Sequence, residues 1–138
     1  MNTVIAHDTL ALEAKLEVNK QVVLAFYEAA INRKDFDAAS ELVGEEYVQH
    51  DPLIADGREG LASFIAHLRE TFPALRAEVK HAFADGDFVI VHVHGVREPG
   101  QRGSAIVDIF RLADRKIVEH WDVIQPIPDH AANQNGMF

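Results

Sequence analysis

The hydrophobic period changes once along this chain, near residue 75, and that change limits the folds open to it. Before it, apolar side chains return every three or four residues, as on one face of a helix. After it they alternate, as on a strand. From Leu10 to Asn32 the stripe runs Leu12, Leu16, Val23, Phe26, Ala30, with Glu13, Lys20, Gln21 and Glu28 between, and it predicts a first helix. Asp35 is placed to cap a short second helix through Leu42, with Phe36 and Ala39 inward. The stretch Tyr47-Val48-Gln49-His50-Asp51-Pro52 is too short for a helix and is closed by proline. Asp56-Gly57-Arg58-Glu59 has the spacing of a capping box. It opens a third helix carrying Leu61, Phe64, Ile65 and Leu68, and Phe72-Pro73 ends it.

Four strands are expected beyond the switch: Arg76 to Ala84, Phe88 to Val96, Ser104 to Leu112 and Lys116 to Gln125. Turn signals separate them at Asp85-Gly86, Glu98-Pro99-Gly100-Gln101 and Ala113-Asp114-Arg115. Helices first and antiparallel strands second predict an α+β architecture, with helices on one face of a curved sheet. A length of 138 residues suits one domain, with residues 1–9 as a flexible N-terminus and 126–138 as an irregular tail.

Charge and side-chain supply then restrict function. Net charge is −9, with 13 basic against 22 acidic residues. That balance disfavours nucleic acid and anionic membrane as partners, because both need a positive footprint. No apolar run approaches the roughly 18 residues of a membrane span, and Met1 to Asp8 carry no basic leader region. A cytoplasmic protein is expected. Zero cysteine excludes disulfides, thiolate metal sites and cysteine nucleophiles. Eight histidines supply the side chain that titrates near neutrality.

The richest constellation falls on the last two strands. Asp108 interrupts the apolar run Ile106-Val107-Asp108-Ile109-Phe110, and His120 and Asp122 share one face of the final strand. A three-residue loop at 113–115 would set Asp108 opposite His120 and Asp122 opposite Ile106. An even-numbered loop would turn Asp108 to the other face. Convergence would create an acid/base group in an apolar basin, where burial and a second carboxylate both raise a carboxyl pKa. Such a group can take a proton from carbon beside a carbonyl and return it elsewhere. A satisfied structural pair of Asp108 and His120 is the alternative.

His50 is a second candidate, in a loop at the open end of the helix–sheet layer, flanked by Tyr47 and Gln49. It reads equally as a surface histidine capping a turn. His92-Val93-His94, followed by Glu98, fits half of the cupin metal motif, but Ala105 stands where its closing glycine belongs and no second half follows. His92 and His94 are therefore expected to line a cavity or to pair with carboxylates. Trp121, facing away from His120, is assigned to packing or an interface. His7, His67, His81 and His130 are expected to be solvated.

Taken in order, Phe26-Tyr27, Tyr47 to Pro52, Asp56 to Gly60, Asp108-Ile109-Phe110-Arg111 and Lys116 to Asp122 resemble the SnoaL-like polyketide cyclase group of the NTF2-like superfamily. The resemblance spans about residues 16–128. It implies an NTF2-like cone and an intramolecular aldol ring closure needing no cofactor and no metal. Asp122 would be the acid/base and Asp108 its support, at a position where the family favours histidine. His120 would then supply the imidazole. His50 and Gln49 would sit at the mouth and hold a substrate carbonyl, with Tyr47, His92 and Phe110 as further ligand contacts. A small-molecule ligand is implied, and a homodimer formed through the outer face of the sheet, where Trp121, Ile117 and Val123 offer an apolar strip. The rival readings are a non-catalytic ligand-binding or dimerisation module on the same fold, and a cupin-like metalloprotein using His92, His94 and Glu98.

Overall fold

The computed structural model of the chain describes residues 2–138, with side chains from residue 6 onward. Of the segment 1–9 expected to be flexible, Met1 and the side chains of residues 2–5 lie outside the described residues. Residues 6–9 are helical and exposed. Helix α1 runs Asn2–Tyr27 and widens into a π-helical turn at Glu28–Asn32, closed by the Arg33 N–H donating to Glu28 O at 2.9 Å. Helix α2, Phe36–Ser40, starts at Asp35, whose side chain accepts from the Ala38 N–H at 3.1 Å.

The third helix, α3, Gly57–Thr71, begins differently from the capping box that the sequence suggests. The Asp56 carboxylate accepts from the Gln49 N–H at 2.8 Å instead and ties the helix start to the preceding strand. Gly60 is the residue this start requires, since a Cβ there would lie 1.7 Å from Ala55 O. No helix among the described residues is long and apolar enough to cross a membrane.

The sheet has five strands, in the order β1-β5-β4-β3-β2. Strands β2 (Arg76–Asp85), β3 (Phe88–Val96), β4 (Ser104–Ala113) and β5 (Lys116–Pro126) match the sequence expectation closely. Strand β1, Val43–Gln49, was not expected, and it pairs parallel to β5. The sheet is therefore mixed, not wholly antiparallel. A glycine and two glutamates in β1 mask its alternation, which is ordinary for an edge strand with one wet side.

The β4–β5 hairpin corrects the predicted register. Its turn has two residues, Asp114 and Arg115, both at positive φ (49° and 64°), the geometry of a tight type I′ connection. Alone, that turn would send Asp108 to the wrong face. A β-bulge restores it. Leu112 pairs with Ile117 but Arg111 pairs with Glu119, leaving Val118 as the extra residue. Beyond the bulge Asp108 lies opposite Asp122, and Phe110 opposite His120. The same slip turns Ile117 into the core, where it is fully buried, so it is not part of the outer apolar strip.

The helices cover one face of this sheet. Val23, Phe26, Ile65, Val89, Val91, Val93, Phe110 and Ile117 form the centre of the core. Burying a side chain of this size contributes roughly 1.5–3 kcal/mol. Phe26 meets Phe110 edge-on, with ring centroids 5.7 Å apart. After Pro126 the tail is irregular, held to the β3–β4 hairpin by the Ile127 N–H donating to Gly103 O at 3.0 Å.

Candidate functional site

Between the helices and the inner face of the sheet lies a cavity of about 700 Å³. Its walls are mainly apolar, from Phe26, Leu61, Phe64, Leu68 and Phe110. On its floor β4 and β5 present Asp108, His120 and Asp122 to the same space. The strands place them by alternation, and the bulge at Val118 brings the two strands into phase.

These groups form one hydrogen-bonded chain. The Tyr27 hydroxyl donates to one oxygen of Asp108 at 2.8 Å, and the other Asp108 oxygen meets His120 Nε2 at 2.7 Å. On the far side of the ring, His120 Nδ1 lies 2.8 Å from Gln49 Oε1. That oxygen also accepts from the Asp51 N–H at 2.9 Å, which fixes the amide orientation, and Gln49 Nε2 donates to the Tyr47 hydroxyl at 3.2 Å. A carbonyl oxygen only accepts, so His120 Nδ1 carries a proton. Asp122 stands at the edge of this chain, 3.9 Å from His120 Nε2.

Asp122 is electrostatically perturbed. Loss of water pushes its pKa up, and a hydrogen bond to the Asp51 carboxyl adds to the rise. His120 pulls the other way, and the value settles at about 7. Asp51 is itself held, accepting from the Leu53 N–H at 2.8 Å. Tyr27 and Tyr47 are both pushed well above the usual phenol range, first by burial and next by the charge of Asp108. Both stay protonated, Tyr27 as a donor to Asp108 and Tyr47 as the acceptor of the Gln49 amide. Asp108, His120 and Asp122 are also the three-residue group among the described residues whose ligand atoms could surround a metal, lying within 4.8 Å of one another. The contact between His120 Nε2 and Asp108 is already a hydrogen bond at 2.7 Å.

Placement of the remaining candidates divides them. Tyr47, Gln49 and Phe110 line the cavity. His50 does not. Its ring stacks on Trp121 at 4.8 Å with planes 2° apart, and its Nε2 meets Glu119 at 2.7 Å. Trp121 and Glu119 belong to the outward phase of β5, so His50 is on the outer face of the sheet, not at the mouth. His50 and Arg111 together hold the Glu119 carboxyl below the usual range. His92 and His94 are outward as well. Their rings pack on Phe138 of the tail at 5.1 and 4.8 Å, and they do not line the main cavity. Glu98 is not brought into ligand distance of them, so no cupin-like triad forms among the described residues. His7, His67, His81 and His130 are exposed.

Two members of the network were not singled out from the sequence. Tyr27 falls in the helical stripe beside Phe26 and reads there as packing. Asp51 sits in the motif before Pro52, where only the fold brings it to Asp122.

The comparisons agree with this architecture. Residues 23–120 match the family described as SnoaL-like domain. No curated protein matches the chain. Among solved structures it is similar to AclR from Streptomyces galilaeus, a candidate hydroxylase: TM-score 0.68, 24% identity, 85% of this chain and 91% of that one. A candidate ketosteroid isomerase from Kribbella flavida gives TM-score 0.69 at 15% identity, over 87% of each chain. IdmH from Streptomyces antibioticus, a candidate polyketide cyclase, gives 0.62 at 23%, over 77% of this chain and 91% of that one. At these identities the likeness speaks for the fold.

Proposed function

Because the chain belongs to the SnoaL-like domain family, we propose that its cavity binds an apolar, carbonyl-bearing small molecule and moves a proton on it. Asp122 is the acid/base. As carboxylate it takes a proton from the carbon beside the carbonyl, leaving an enolate. As carboxylic acid it returns that proton, either to another carbon of the same ligand or to the alkoxide formed when the enolate carbon bonds a second carbonyl carbon. The first outcome is an isomerisation and the second an aldol closure, and neither requires a cofactor. His120, oriented by Gln49 and Asp108, stands beside Asp122 and steadies the charge that develops. Tyr27 holds Asp108 in place.

The observation that carries this reading is the position of Asp122: inside an apolar cavity, with its pKa raised to about 7. A base of that strength is half ready at neutral pH, which is where proton transfer is most effective. The test is exchange of α-protons for deuterium, followed by mass spectrometry, in a panel of cyclic and aryl ketones. Wild-type protein is expected to accelerate exchange on at least one ketone, and Asp122→Asn to lose roughly 10²-fold or more of that rate. Equal rates in the two proteins would remove Asp122 from the mechanism.

One observation favours a second reading, a binding module without chemistry. Every buried side-chain nitrogen and oxygen among the described residues has a partner, as in a network that only shapes the cavity. In that case Asp122→Asn changes neither ligand affinity nor exchange. We further propose that two copies pair through the outer sheet face, where Phe83, Phe88, Ile90, Val107 and Val123 are exposed.

A further inference from the structure

The cavity is electrically polarised along its length. Its floor carries three carboxyl groups, Asp51, Asp108 and Asp122. The rim formed by the β3–β4 hairpin carries two guanidinium groups, Arg97 and Arg102, and both line the same cavity. Arg97 has no ion-pair partner among the described residues. Its guanidinium lies over the Phe72 ring, 4.4 Å from the centroid, and Phe72 is also cavity wall. The aromatic face holds the charge at the mouth while leaving its hydrogen-bond donors available. Arg102 is paired to Asp129 of the tail. Its own backbone carbonyl accepts from His94 Nε2 at 2.7 Å, so the hairpin that carries both arginines is anchored.

The chain as a whole is acidic, at net −9, so two arginines converging on this cavity are not a general feature of its surface. We infer that the ligand is an anionic amphiphile: an apolar carbonyl compound with a free carboxylate, held at the rim by Arg97, with Arg102 as second donor. The inference rests on the cavity being the substrate site, as proposed above. The carboxyl-lined floor disfavours an anion and the arginine rim favours one, so the field prefers the orientation with the carboxylate outward and the carbonyl at Asp122. The span is short. Asp108 pairs with Asp122 and Ser104 with Pro126, four positions apart, or about 13 Å of strand. A two-ring keto acid covers that distance.

The experiment is calorimetric titration of 4-(2-naphthyl)-4-oxobutanoate and of its methyl ester into wild type, Arg97→Gln and an Arg97→Gln/Arg102→Gln double variant. Wild type is expected to bind the acid about 10-fold more tightly than the ester, with the preference falling as salt rises from 50 to 500 mM NaCl. Arg97→Gln should lose most of that preference, with an unchanged melting temperature reporting that the fold is intact. The double variant should show none. Equal affinity for acid and ester in wild type, a preference for the ester, no binding of the acid, or a preference that survives in the double variant would each overturn the inference. Binding requires no proton transfer, so failure of the Asp122 mechanism appears in deuterium exchange and not in this ratio.

Discussion

Asp122 is perturbed first by burial and then by the neighbouring Asp51 and Asp108 carboxyls. Its carboxyl titrates near 7 in the folded chain against an ordinary 3.8. Ionising it therefore opposes folding. The penalty is absent below pH 4, grows as pH rises to about 7, and then stays level. Asp122→Asn removes it. The variant should match wild type in stability at pH 4 and exceed it at pH 8 by about 2 kcal/mol, roughly half of what the full shift would give because solvent screens a partly exposed carboxyl, as read by urea denaturation at the two pH values. A constant difference would mean that Asp122 is not raised. Tyr27→Phe makes the opposite case. It strips a buried hydroxyl donor from Asp108, and should lower stability by about 1–3 kcal/mol in the same assay. At this scale the sequence was readable for His120 and Asp122, because alternation reports which residues of one strand share a face. It was silent on Tyr27 and Asp51, whose partners lie far away in sequence.

Alternation reports faces only within one strand, and the relation between strands is set by turns and bulges. Asp114-Arg115 carries no glycine, so nothing in its composition announces two residues at positive φ. Nor does Val118, an ordinary β-branched strand residue, announce a bulge. Two errors of register cancelled for Asp108, which reaches the expected face by a different pairing. They did not cancel for Ile117, which is core instead of surface. His50 was misplaced for a related reason. The unrecognised strand β1 carries the chain to Gln49, and the residue after it emerges on the Trp121 side. Gly60 offers a check on how the third helix begins. Its Cβ would collide with the backbone oxygen of Ala55, so Gly60→Ala should cost about 2 kcal/mol or more and lower the melting temperature by several degrees. An unchanged melting temperature would show that the loop 51–56 can move aside.

The whole molecule sorts its chemistry by face. Inward, the sheet presents acids and an imidazole beneath an apolar roof. Outward, it presents Phe83, Phe88, Ile90, Val107 and Val123, together with the stack of His50 on Trp121. An outer face this apolar fits the proposed pairing of two copies. Val123, 71% exposed, is the position to probe. Val123→Glu should shift a wild-type dimer to monomer in sedimentation velocity while leaving the cavity untouched, and a wild-type monomer would remove the proposal. The α+β arrangement was legible in the sequence because a change of hydrophobic period survives almost any detail. The mixed sheet was not, because β1 is a wet edge strand.

The proposed mechanism needs one property above all, an aspartate poised to take and return a proton near neutrality. It can be measured without knowing the substrate, by following the carboxyl carbon of Asp122 with NMR across pH, its signal assigned by its loss in Asp122→Asn. A midpoint near 7 is expected, falling when Asp51→Asn removes the neighbouring carboxylate. A midpoint in the ordinary aspartate range, near 3.9, would contradict the proposed mechanism.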